Sequence, residues 1–217
     1  MSVAGCLVGT VALPASAKAG DKELAKEAQL RRADLPEPDS WSLKPRTNND
    51  AAADAIRKDI FECFQVRRVL NASKQYRAQG PNFDRTVDGG DQRINDTVYV
   101  FPSVKTARSF MTPFIDDDGV DCFRKYLLKA VQDTVKNSEV LVQSVERAPE
   151  LGDSSIGYAL TATITDDQNV EHLAYFDAYA IRVGRGVTAL SIQSENEPFD
   201  DVDAVNEAAT ERLEGAL

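Results

Sequence analysis

His172 is the only imidazole in the chain, and Cys6, Cys63 and Cys122 are its only thiols. A nucleophilic triad or a Cys–His pair would have to use His172 itself, because both arrangements need an imidazole base. That residue sits beside a predicted hairpin turn, where a lone histidine is ordinarily a surface residue. Neither a Gly-x-Ser-x-Gly elbow nor a glycine-rich phosphate loop occurs. One histidine and widely spaced cysteines supply too few ligands for zinc. Asp84 to Asn95 touches the calcium-loop pattern at Asp84, Asp88 and Gly89, but Asn95 stands where a bidentate Glu belongs. Carboxylate chemistry stays open, since Asp and Glu together number 35 and acid–base hydrolysis needs two of them facing each other. Abundance is not a site, and Asp116-Asp117-Asp118 reads as readily as a solvated loop. The sequence predicts no metal and no cofactor.

The sharpest polar cluster lies between residues 158 and 193. Tyr158, Leu160, Ala162 and Ile164 alternate with Ala159, Thr161 and Thr163, the period of a strand. An even-length turn at Asp166–Asn169 pairs Tyr158 with Asp177 and Leu160 with Tyr175. A turn over Gly184-Arg185-Gly186 pairs Asp177 with Gln193 and Tyr179 with Ser191. These registers gather Tyr158, Tyr175, Asp177, Tyr179 and Gln193 on one sheet face, beside Leu160 and Ser191. Tyrosine offers a rigid apolar body with a polar tip, so the face predicts a ligand-binding lining. Asp177 would take a cationic or hydroxyl-bearing ligand. The plainer alternative is a half-exposed face whose Asp177 is solvated or paired with an arginine. Ala159, Phe176, Ala178, Ala180, Leu190 and Ile192 fall opposite and invite helices to pack there.

The elements that position this cluster follow from periodicity and punctuation. Residues 18–32 predict a helix with Leu24, Ala28 and Leu30 inward, broken at Asp34-Leu35-Pro36 before an extended segment carrying Trp41. After the polar linker at Thr47 to Asp50, Ile56, Ile60 and Phe64 predict a second helix that holds Cys63. Residues 66–92 carry turn signals at Gly80-Pro81 and Gly89-Gly90 but no clear period. Ile94 to Phe101 is a strand, and Ser103 caps a helix bearing Val104, Ala107, Met111 and Phe114. Val120, Phe123, Leu127 and Val131 mark another helix, with Cys122 in its first turn. Val140 to Val145 is a strand. Strands then run from Tyr158 to Ile164, Val170 to Val183 and Val187 to Ser194, a three-stranded antiparallel meander. A last helix begins near Asp200 or Asp201 and aligns Val202, Val205, Ala209, Leu213 and Ala216. The expected fold is α+β: an antiparallel sheet with a C-terminal three-stranded meander, helices packed mainly on one face, and one disulfide.

Compartment is read from the first residues and the cysteines. Met1 to Ala17 carry no charge, and an apolar run ends in Ala15-Ser16-Ala17. This reads as a signal peptide over residues 1–17 followed by one domain over 18–217. The apolar run is too short for a bilayer span, which takes about twenty residues. Val3-Ala4-Gly5-Cys6 offers lipidation at Cys6 as an alternative, although the residues after it stay apolar. An uncleaved, buried N-terminal segment is a third reading. Cleavage near Ala17 leaves an even pair, Cys63 and Cys122, which in an oxidising compartment usually bond. Two buried free thiols are the other possibility. The protein is expected to be secreted or held in the cell envelope, touching membrane only through a lipid anchor. A formal net charge of −10 repels nucleic acid and acidic headgroups as general partners.

Several short motifs together resemble the PknH-like extracellular sensor domains of actinobacterial receptor kinases and stand-alone exported proteins. They are Ala33-Asp34-Leu35-Pro36 before Trp41, helical Cys63, Phe101-Pro102-Ser103 feeding the helix with Ala107, and Cys122. Glu150-Leu151-Gly152-Asp153 opens the meander and Ile181-Arg182-Val183-Gly184 ends its second strand. The likeness spans about residues 22–217. It departs where Pro36 and Trp41 are separated by four residues instead of a tight Pro-x-Gly-Trp, and in lacking a second disulfide. It implies a sheet-and-helix sandwich with a cleft, binding a small molecule or an envelope protein without catalysis. Two other classes remain: a carboxylate-dependent hydrolase, and an accessory lipoprotein that works through an interface.

Overall fold

The structure is a computed structural model describing residues 20–46, 58–59, 61–115, 121–122, 125, 139–147, 151–165 and 168–217. Among the described residues, the α-helices α1 (Gly20–Glu27), α2 (Arg67–Ala72), α3 (Val104–Ile115) and α4 (Val202–Ala216) pack around one sheet. Its strands are β1 (Ser42–Lys44), β2 (Tyr76–Val87), β3 (Gly90–Val100), β4 (Glu139–Arg147), β5 (Ser154–Thr165), β6 (Glu171–Val183) and β7 (Gly186–Glu195). Among the described residues the sheet has seven strands in the order β1-β2-β3-β7-β6-β5-β4. Every neighbouring pair is antiparallel. The fold is α+β as expected, and β5, β6 and β7 form the predicted meander. Its β7 edge bonds to β3, which joins the β2–β3 hairpin and the meander into one sheet.

Residues 66–92 prove to hold α2 and β2. Gly80-Pro81 is not a chain reversal but an irregularity within β2, where pairing to β3 shifts between Gln79 and Asn82. Proline has no amide to give a ladder, so it belongs at such a break. The first helix is shorter than expected and ends at Glu27. Leu30 is still buried, but its amide donates to Asp96 Oδ2 of β3 at 3.0 Å instead of continuing the helix.

Helices cover both faces of the sheet, where the sequence pointed to mainly one. The reason lies in β3 and β7, which bury residues on both sides. Ile94, Val98 and Val100 alternate with Tyr99, and all four are buried. On one face α1, the turn after it and α4 bring Ala25, Ala28, Val205, Ala209 and Leu213 against Ile94, Val98, Ile181 and Ile192. On the other, Ala107, Phe110 and Met111 of α3 pack with Phe64, Tyr99, Tyr158 and Val187. Phe110 is the hub there, within 5.6 Å of the ring centres of Tyr99, Phe101 and Phe114.

Cys63 and Cys122 are bonded, their Cα atoms 5.9 Å apart. The bridge ties the helical residues 61–63 to residues 121–122 on the α3 side, where Cys122 packs into the aromatic cluster. Cys6, the leader, Ile56, Ile60 and the stripe of Val120, Phe123, Leu127 and Val131 lie outside the described residues.

Candidate functional site

The five residues expected to share one face do not. β5 pairs Tyr158 with Ala178 and Ala159 with Asp177. β7 pairs Ser191 with Ala178, Gln193 with Phe176 and Ile192 with Asp177. Both registers differ by one residue from those the turns suggested, and a one-residue slip sends every side chain to the opposite face. The β6–β7 turn is Gly184-Arg185 alone, because Gly186 already pairs with Val183. The β5–β6 connection runs between Thr165 and Glu171 and has an odd length. Tyr158 and Gln193 therefore lie on the α3 face, with Leu160 and Ser191. Tyr158 is part of the core there, 3 % exposed, and its hydroxyl donates to the Phe114 carbonyl at 2.9 Å.

Tyr175, Asp177 and Tyr179 stay together on the α4 face of β6, with Ala159 of β5 and Ile192 of β7 flanking Asp177. Tyr179 is buried, and the Asn206 side chain of α4 favours the ionised form of its hydroxyl. Burial, and then the charge on Asp177, push the Tyr179 hydroxyl up to about 12. Asp177 and Tyr175 are half-buried. Asp177 is pushed up to about 6 by burial alone. Among the described residues it has no hydrogen-bond or ion-pair partner. A desolvated carboxylate without a partner raises the free energy of the folded state, an expense more common at sites than in scaffolds. Between Tyr175 and Tyr179, its free oxygens have the acceptor capacity that an ammonium or hydroxyl group would need. No second carboxylate contributes to its shift, so the facing pair that glycoside-type hydrolysis needs is not formed at Asp177 by the described residues.

A second carboxylate on the same face escaped the sequence reading. Asp96 of β3 is 1 % exposed, pairs with Leu190, and is pushed up to about 6 by burial. The Leu30 amide, Arg46 and Arg212 pull the other way. Its Oδ1 has no partner. Arg212 of α4 forms an ion pair with Asp34 at 2.9 Å, without hydrogen-bond geometry. The signal was present: Asp96 occupies the inward position between Ile94 and Val98 in a predicted strand.

The remaining candidates fall into the scaffold. Asp84 lies on β2 within a hairpin, bonded to Arg93 at 2.7 Å and Lys44 at 2.9 Å, and the Arg93 guanidinium holds it below the usual carboxylate range. That neutralised carboxylate belongs to no calcium loop. His172 is exposed on β6 opposite Ile164. Among the described residues no cluster of His, Cys, Asp or Glu could hold a metal ion. Asp153 and Arg182, from the two motifs bounding the meander, meet at 2.9 Å, and Asp153 also accepts the Gly184 amide at 2.7 Å.

Fold and site together define a disulfide-bonded α+β structure with a sheet covered on both faces and a half-buried carboxylate that no described residue partners. No family model and no curated protein matches the chain. Among solved structures it is similar to the extracellular domain of PknH from Mycobacterium tuberculosis, at 8% identity and a TM-score of 0.36, covering 70% of this chain and 90% of that one. It is also similar to LpqN, involved in cell envelope biogenesis of the same organism. There the identity is 13%, the TM-score 0.32, and the coverage 83% of this chain and 79% of that one. Likeness at this level carries neither ligand nor activity to this chain.

Proposed function

We propose that this chain is an exported, non-catalytic binding domain of the secreted or cell-envelope fraction, related to the PknH-like sensor domains. It takes a small molecule or an envelope partner at Asp177 and Tyr175. The observation that carries the reading is the unpartnered, half-buried carboxylate of Asp177, raised to about 6 beside two tyrosines. Such a group is stabilised by a ligand that donates to it, so a cationic or hydroxyl-bearing ligand fits best. The Cys63–Cys122 bridge suits an oxidising compartment, and the leader pattern of residues 1–17 suits export.

Native mass spectrometry of the protein exported by its natural host tests both parts. A mass beginning near Lys18 and carrying extra bound mass is expected, with the extra mass lost in Asp177→Ala. Bound mass retained by Asp177→Ala would remove Asp177 from the site. Full-length, reduced protein would remove the export reading.

A further inference from the structure

We propose a second binding site, independent of Asp177, in the groove between α2 and the start of α3. Its ligand class is a tetrahedral oxyanion, a phosphate or sulfate ester, joined to a short apolar group. The groove is an open depression of about 650 Å³, a volume within the range of small-ligand sites. Three exposed cations line it: Arg68 from α2, Lys74 just after α2, and Lys105 in the first turn of α3. None of the three makes an ion pair with any described residue, whereas the adjacent Arg67 is paired with Glu62.

Three cations around one concavity, none paired with a described residue, are unexpected in a chain of net charge −10, where carboxylates outnumber basic groups. Like charges brought together repel, and no acid in the first turn of α3 offsets Lys105. An anion in the groove relieves that repulsion and gains charge-assisted hydrogen bonds from the cations it meets there. The hydroxyls of Thr106 and Ser109 also line the groove and add neutral donors. Val69 and Pro102 supply apolar lining, which selects a ligand with a hydrophobic portion over inorganic phosphate. The strongly acidic remainder of the surface repels an anionic bilayer, so the freely diffusing ester is favoured over a lipid headgroup in a membrane.

The full oxidised chain, titrated with octyl phosphate below micelle formation and followed by amide NMR, tests the site. Octyl glucoside serves as the neutral control, and vesicles of phosphatidylglycerol or phosphatidylcholine form the lipid arm. Expected are shifts concentrated at Ser73, Lys105 and Thr106, and no response to octyl glucoside. Affinity should fall about tenfold or more in Lys74→Glu/Lys105→Glu, from the loss of charge-assisted contacts. Circular dichroism and the thermal midpoint of the variant check that these exposed substitutions leave the fold intact. Binding to phosphatidylglycerol vesicles alone, abolished by the charge reversal, would keep the site but assign it to headgroups. Absence of binding to both, or binding the charge reversal leaves unchanged, overturns the proposal. Asp177→Ala should bind octyl phosphate as the wild type does, which separates this site from the first.

Discussion

Replacing Asp96 by Asn should make the protein more stable near neutral pH and alter how stability depends on pH. Asp96 is enclosed between β3, the segment after α1, and α4, and burial raises it from 3.8 to about 6. A carboxyl raised in the folded state binds more protons than in the unfolded chain between those two values. Its contribution therefore favours folding at low pH and is lost as pH rises through 6. The full penalty at pH 7 is on the order of 3 kcal/mol, from 1.36 kcal/mol per pKa unit. About 1 kcal/mol of it is already present at pH 4.5, because the unfolded carboxyl is largely ionised there. Asn keeps an acceptor for the Leu30 amide and cannot ionise. Urea denaturation of both proteins at pH 4.5 and 7 should find the gain from Asp96→Asn larger at pH 7 by about 2 kcal/mol. A packing defect in the variant would lower stability equally at both pH values, so the difference isolates the ionisation. An unchanged difference between the two proteins at the two pH values would refute the argument. It would mean that Arg46 and Arg212 already compensate the buried charge.

Gly80→Ala places a Cβ 1.9 Å from the buried Asp96 Oδ1, so it should destabilise by about 2 kcal/mol in urea denaturation. Combined with Asp96→Ala, which empties that space, its additional effect should shrink. Replacing Cys63 and Cys122 by Ser opens a loop whose ends are 59 residues apart in sequence, and on the chain-entropy model should remove about 4 kcal/mol, read from the same denaturation curves. At Asp177, raised to about 6, a cationic ligand should bind more tightly as pH rises from 5 to 7 and release protons near pH 6, measurable by calorimetry in two buffers. A hydroxyl-bearing ligand should respond far less, because either protonation state of the carboxyl can bond to it.

Periodicity made much of this fold legible and turn length limited the rest. Val205, Ala209 and Leu213 recur at helical spacing, and all three are buried in α4. The alternation along Tyr158 to Ile164 is that of β5, and the meander follows it. What failed was the choice of face. Gly186 reads as the third residue of a glycine turn, but it begins β7, and its missing Cβ makes room for α4: a methyl there would meet Leu213 at 2.7 Å. Glycine needed for close approach and glycine needed for a turn are the same letter in sequence. The groove cations were illegible for another reason. Arg68 and Lys74 fall in the stretch without a period, and only the fold brings Lys105 of α3 beside them.

The corrected register changes which carboxylate can meet a ligand. With Tyr158 buried against α3 and Gln193 on that same side, Asp177 keeps only Tyr175 and Tyr179 from the predicted group. It now shares a face with Asp96, and both are raised to about 6, yet their surroundings differ in the one respect that matters for binding. Asp96 is closed off from solvent and spends an oxygen on the Leu30 amide, holding the chain after α1 against the sheet. Asp177 remains half-exposed with neither oxygen engaged by a described residue. The shared desolvation thus has two consequences: at Asp96 it sets the pH response of the scaffold, and at Asp177 it leaves a charge that an incoming donor can stabilise.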